Sequence, residues 1–175
     1  ESPKGFAFVM TAHSAVTLPV AQGAQAPPLV ADLPVGDVGL LQDTEAVRRG
    51  WERTMEMARH LSPKLILVRT PLDFSPSDEH RARLTWFAEA LAPQAREVKA
   101  TVAWEPHGLW DPEDFVPFAR KLKLVPVFDP FLDLKGVPQG RGTACFALYQ
   151  RRGLRATFND FDMEELMEHC EPYQR

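Results

Sequence analysis

Five short apolar runs constrain this chain more than any other feature. They cover residues 6–10, 65–68, 101–104, 124–128 and 144–148. Each is too short for a helix and lacks the apolar–polar alternation of a half-exposed strand, so each reads as a strand buried on both faces. Strands of that kind belong to parallel sheets, whose crossover helices cover them.

The intervening segments supply those helices. Asp43 can cap a stretch in which Val47, Trp51, Thr54, Ala58 and Leu61 recur at helical spacing, predicting a helix over 44–61. Ser75, Pro76, Ser77 and Asp78 form a helix start, because serine, proline and aspartate each suit unpaired N–H groups. Leu84, Phe87, Ala88 and Leu91 follow as its stripe. Asp111, Pro112 and Glu113 repeat the start, and Phe115, Phe118, Ala119 and Leu122 the stripe. Pro117 removes one intrahelical bond there, so a loosened start is expected. Pro126 costs the 124–128 strand a ladder bond. A last helix is predicted over 160–170, with Met163, Leu166, Met167 and Cys170 on one face. Residues 14–37 carry Pro19, Pro27, Pro28 and Pro34 and read as a loop lying against the body.

The strand ends Thr70, Glu105 and Asp129 are 35 and 24 residues apart, the spacing of β–α–β units. Neither a Gly-x-Gly-x-x-Gly turn nor a phosphate-loop lysine follows any strand, which removes the signature of nucleotide-binding open sheets. The expected fold is therefore α/β: a TIM-like β/α barrel, partial or reduced, with parallel strands and helices outside. A chain of 175 residues suits one such domain over 1–175.

Composition removes several function classes. Hydrophobic residues are 45% and charged residues 25%, a globular mix. No apolar run approaches the ~20 residues that span a bilayer. A net charge of −4 disfavours a nucleic-acid partner. Cys145 and Cys170 cannot build a disulfide framework, consistent with a reducing, cytoplasmic setting. Arg151, Arg152 and Arg155 form a small basic cluster, but Asp160, Asp162, Glu164 and Glu165 follow and cancel its field.

Ligands of parallel α/β folds bind beyond the carboxyl ends of the strands. There the chain places Thr11, Arg69, Glu105, His107, Asp129 and Tyr149, with Trp110 as a pocket wall. Glu105 and Asp129 end neighbouring strands and are the candidate acid–base pair, since adjacent carboxylates separate each other's pKa values. The competing reading pairs Glu105 with Arg69 as a structural ion pair. Glu105, His107 and Asp129 are possible metal ligands by type, yet any parallel barrel gathers such residues at its mouth, so no metal site is assigned. The residues leave the identity of any cofactor open. Ser14 beside His13 lacks a nucleophile elbow.

The ordered motifs resemble the YecE-like family, domain of unknown function 72. The segment Thr101, Val102, Ala103, Trp104, Glu105, Pro106, His107, followed by Trp110, is similar to the family's Glu-x-Arg…Trp strand end. Asp129, Pro130 and Phe131 resemble its next Asp-Pro-Phe. Residues 5–9 look like the strand before its Lys and Thr-His, residues 38–42 through Trp51 like the next strand and helix, and residues 68–74 like its Gln-x-Pro-x-x-Phe. Residues 143–149 resemble its Arg-Leu-His-Gly strand. The resemblance implies an eight-stranded barrel, usually of ~250 residues. It also implies that the family's first strands and its last strand, with paired asparagines, are missing here. Open barrel edges are then expected, closed either by further residues of a longer chain or by self-association.

The departures bear on function. Thr11 stands for the family's Lys, Leu18 for a His, Arg69 for Gln and His107 for Arg, while Ala147 and Tyr149 stand for Arg and His. Glu105, Trp110 and Asp129 remain. The expected function is binding of a small polar or anionic molecule at the strand ends, with the cationic site much altered. The alternatives are a hydrolase or isomerase/lyase using Glu105 and Asp129 as acid and base, and, less favoured, nucleic-acid processing.

Overall fold

The computed structural model describes residues 6–131, 145–148 and 158–171. The elements in chain order are β1 (Val9–Thr11), α1 (Ser14–Thr17), α2 (Glu45–Leu61), β2 (Leu65–Thr70), α3 (Asp78–Ala90), β3 (Thr101–Pro106), α4 (Pro112–Lys121), β4 (Val125–Phe128), β5 (Cys145–Phe146) and α5 (Asp160–Cys170).

The strands form one sheet in the order β1-β2-β3-β4-β5, and every neighbouring pair is parallel. Parallel crossovers are almost always right-handed, so an order that never reverses keeps the crossover helices on one face. The result is a half-barrel, with α2, α3 and α4 outside. β1 and β5 are its edge strands among the described residues.

Alternation along each strand builds the two faces. Outward-facing Ile66, Val68, Val102, Trp104 and Phe128 share one core with Trp51 and Met55 of α2, Leu84 and Phe87 of α3, and Phe115 and Ala119 of α4. Trp51 and Phe87 meet edge to face with ring centroids 5.0 Å apart. Trp104 donates its Nε1 hydrogen to the Thr70 hydroxyl at 3.1 Å, so both buried polar groups are satisfied. On the other face Ala103, Val125 and Val127 are buried, with Leu65, Leu67, Cys145 and Ala147 packed against them.

The α4 cap is the expected Asp111, but α2 is capped by Thr44 rather than Asp43, and α3 by Ser77 rather than Ser75, with Pro76 ahead of the cap instead of at the first helical position. Each cap accepts from a backbone N–H one turn in or less. Pro117 lies inside α4, and the helix runs through it without a break.

Several expectations need correction. The first strand is shorter than residues 6–10 and not buried: Val9 is 62% exposed and Thr11 is also exposed. The stretch 14–37 holds α1 and two 3-10 turns rather than loop alone. Residues 38–42, expected as a strand, form a turn instead. Gly39 has φ of 82°, and Leu40 and Leu41 both have φ of 52°. Their backbone N–H groups donate to the carbonyls of Ala15, Thr17 and Val16, which fastens the turn to α1 rather than to the sheet. A Cβ on Gly39 would lie 2.3 Å from the Leu18 carbonyl carbon, so the close approach requires glycine. On α5, Met163 and Met167 are 46% and 66% exposed. The helix instead turns Asp162, Glu165, Leu166, His169 and Cys170 toward partial burial, and His169 sits beside Phe131.

Candidate functional site

The parallel register decides which side chains can meet. Arg69 on β2 stands directly beside Glu105 on β3. Neighbouring strands are about 4.8 Å apart, so these two side chains share the inner face within reach of one another. Arg69 Nε donates to Glu105 Oε2 at 2.7 Å. The Glu105 side chain is 3% exposed and that of Arg69 46%. The carboxylate is thus buried and fixed, while the guanidinium reaches water.

The second oxygen of Glu105 is placed differently. Oε1 is buried and accepts no hydrogen bond among the described residues. His107 Nε2 lies 3.2 Å from it but off the line a hydrogen bond needs. His107 is held by its backbone, which donates to the Thr70 carbonyl at 3.2 Å. A buried acceptor without a donor is costly, typically ~1–3 kcal/mol, and it marks where a donor belongs.

Asp129 follows β4 and is buried at 8% exposure. Its Oδ1 accepts from the Phe131 backbone N–H at 2.9 Å, a local turn that holds the carboxylate at the strand end. Trp110 closes one side. Its Nε1 donates to the Phe74 carbonyl at 2.6 Å, and the Arg81 guanidinium lies 4.9 Å from its ring. The Phe118 ring stacks on it at 6.0 Å with an interplanar angle of 8°. Trp110 is therefore a wall fixed by α3, α4 and the loop after β2. Gly108 allows that loop to close, since a Cβ there would meet the Phe74 carbonyl oxygen at 2.4 Å.

These groups surround a cavity of about 310 Å³ at the carboxyl ends of β3, β4 and β5. Its lining includes Glu105, His107, Trp110, Phe115, Val127, Phe128, Asp129 and Ala147. Four of the expected site residues, Glu105, His107, Trp110 and Asp129, are thus brought together. Arg69 is not in the lining and acts through Glu105. Thr11 ends the edge strand and is also outside it. Tyr149 lies outside the described residues, as does the 151–155 basic cluster. The Arg69–Glu105 ion pair and the cavity coexist.

Three contributors carried no recognised sequence signal. Arg81 and Gly108 act only through neighbours distant in the chain. Cys145 is the third: its thiol pKa is raised by burial and then by the nearby Glu105 charge. Both causes favour the neutral thiol over the thiolate. Among the described residues no group of three or more His, Cys, Asp or Glu is placed to hold a metal ion. A larger cleft, about 440 Å³, lies at the opposite ends of the strands beside Arg96, Lys121 and Lys123. No helix among the described residues is long and apolar enough to cross a membrane. Family models, curated proteins and solved structures yield no match to this chain.

Proposed function

We propose that the cavity at the carboxyl ends of β3, β4 and β5 binds a small polar molecule, within a YecE-like β/α barrel of which the described strands are part. One observation carries this reading. Glu105 lines the cavity and is buried, one of its oxygens is fixed by Arg69, and the other is buried beside His107 Nε2 at 3.2 Å without a hydrogen-bond donor among the described residues. A ligand hydroxyl or amine would supply the missing donor. The volume is at the lower end of ligand pockets, roughly 300–1,000 Å³, so the ligand is small.

A second reading has its own support. Glu105 and Asp129 are both buried in one cavity wall, which suits an acid–base pair of a hydrolase or isomerase/lyase.

The experiment is a fragment screen of polyols, hydroxy acids and amines, read by NMR at the Trp110 indole and the His107 amide. Hits are repeated on Glu105→Gln. Binders should shift both signals and lose at least tenfold affinity in the variant. Because Arg69 is half exposed and can be solvated, melting should fall only slightly, by about 1 kcal/mol or less. Fragments that bind the variant as well as the native protein would reject the reading.

A further inference from the structure

We propose that the cleft at the amino ends of β3 and β4 is a second ligand site and takes a phosphomonoester, a doubly charged headgroup on a compact apolar body. The cleft has a volume of about 440 Å³ and lies at the opposite end of β3 from Glu105. The end of α3 and the 3-10 turn Ala92–Val98 form one side, and the end of α4 forms the other. Arg96, Lys121 and Lys123 line it against one carboxylate, Glu89, so three cations minus one anion leave an excess of two formal positive charges. All four side chains are exposed, and none of the three cations has an ion pair or a side-chain hydrogen bond among the described residues.

Cations are common at helix ends, where their side chains can donate to the last carbonyls. Here the backbone already serves those carbonyls. The Lys123 N–H donates to the Arg120 carbonyl and the Leu124 N–H to that of Ala119, both at 2.9 Å. On the other side the Lys99 N–H donates to Arg96 and the Ala100 N–H to Ala95, both at 3.0 Å. Lys99 and Lys123 reach this geometry at φ of 59° and 61°. The two turns close alike, and neither uses Arg96, Lys121 or Lys123 side chains as caps. Three like charges around one concavity repel each other, and an anion between them removes that cost. A guanidinium fork and two ammonium groups are the donors that phosphate oxygens bind best, and the Thr101 hydroxyl adds a neutral one. A phosphomonoester carries about −1.5 to −2 charges at neutral pH, which matches the excess. Ala92, Pro93, Val102, Leu122 and Leu124 supply apolar wall for the body that carries it.

Phenyl phosphate, benzoate and benzyl alcohol test the charge on one carbon body. Each is titrated into the intact chain at neutral pH, with the Thr101 and Val102 amide signals as readout. Phenyl phosphate should bind at least tenfold more tightly than benzoate, and benzyl alcohol should not saturate. Arg96→Gln and Lys123→Asn should each weaken phenyl phosphate at least threefold; asparagine suits the left-handed φ at position 123. Lys64→Gln removes an exposed cation from outside the described lining and should change the affinity by less than about twofold. All three positions are exposed, so each variant should fold. Benzoate or benzyl alcohol binding as tightly as phenyl phosphate overturns the doubly charged headgroup. A loss in Lys64→Gln as large as in the cleft variants assigns the binding to diffuse surface charge and overturns the site. Silence of phenyl phosphate overturns the proposal outright.

Discussion

Trp104 and Glu105 are neighbours in the chain, nearly equally buried, and opposite in purpose. Trp104 points outward into a core shared with three helices and satisfies its one polar atom on Thr70. Glu105 points inward and keeps an oxygen unsatisfied. The same contrast runs along the strands. The outer face carries the larger side chains Ile66, Val68, Val102, Trp104 and Phe128 under helices. The inner face carries Leu65, Leu67, Ala103, Val125 and Val127, and ends in Arg69, Glu105 and Asp129. A strand can thus devote one face to holding the fold and the other to presenting chemistry, with the two-residue period keeping them apart.

The largest test of that division is Trp104→Ala. A fully buried tryptophan truncated in a packed core costs about 3–5 kcal/mol. Urea unfolding should show a loss in that range, well above that of Glu105→Gln; a loss below 1 kcal/mol would mean the outer face is not the main core.

A smaller effect is expected at the rim, where β1 leads into α1. His13 caps α1, with Nδ1 accepting from the Ala15 N–H at 3.1 Å, and its backbone N–H donates to Thr54 Oγ1 at 2.9 Å. Burial, and then the charge of Arg53, hold its pKa below the ordinary value of 6.5. A lowered folded pKa means the folded state resists protonation. The cap's contribution is complete above pH 6.5 and declines as pH falls through the folded value. The loss should be on the order of 0.5–1 kcal/mol, the scale of a helix cap. His13→Asn, which can accept the same bond without titrating, should flatten that part of the pH–stability curve. An unchanged slope in the variant would assign it elsewhere.

The smallest effect is expected on the inner face of the edge strand. Val9 is 62% exposed, so Val9→Thr should change stability by no more than about 0.5 kcal/mol. A loss above 1.5 kcal/mol would show that this face is covered in solution and that the two faces are more alike than they look.

Local features made much of the fold readable. Caps and 3.6-residue spacing placed α2, α3 and α4, and apolar runs placed β2 through β4, because these signals lie within a dozen residues. The cluster of Glu105, His107, Trp110 and Asp129 was readable because parallel strands present their carboxyl ends together. What escaped depends on distant partners. The apolar residues 38–42 look like a strand, yet their hydrogen bonds go to α1, more than twenty residues earlier. The outward Met163 and Met167 look like a core stripe, but the face of α5 that carries His169 is the one beside Phe131, a contact made across the chain. The Glu105–Cys145 proximity comes from register across β4, which no local pattern encodes.

The unreversed strand order has a consequence for how the chain forms. Each strand pairs with one already made, so a chain emerging from the ribosome never waits for a later strand to complete an earlier one. Every new β–α unit adds at the growing edge, as a repeat protein extends by one module. The same growth leaves a fresh edge at every stage, so the nascent sheet always offers a site for the next strand, or for one from another chain.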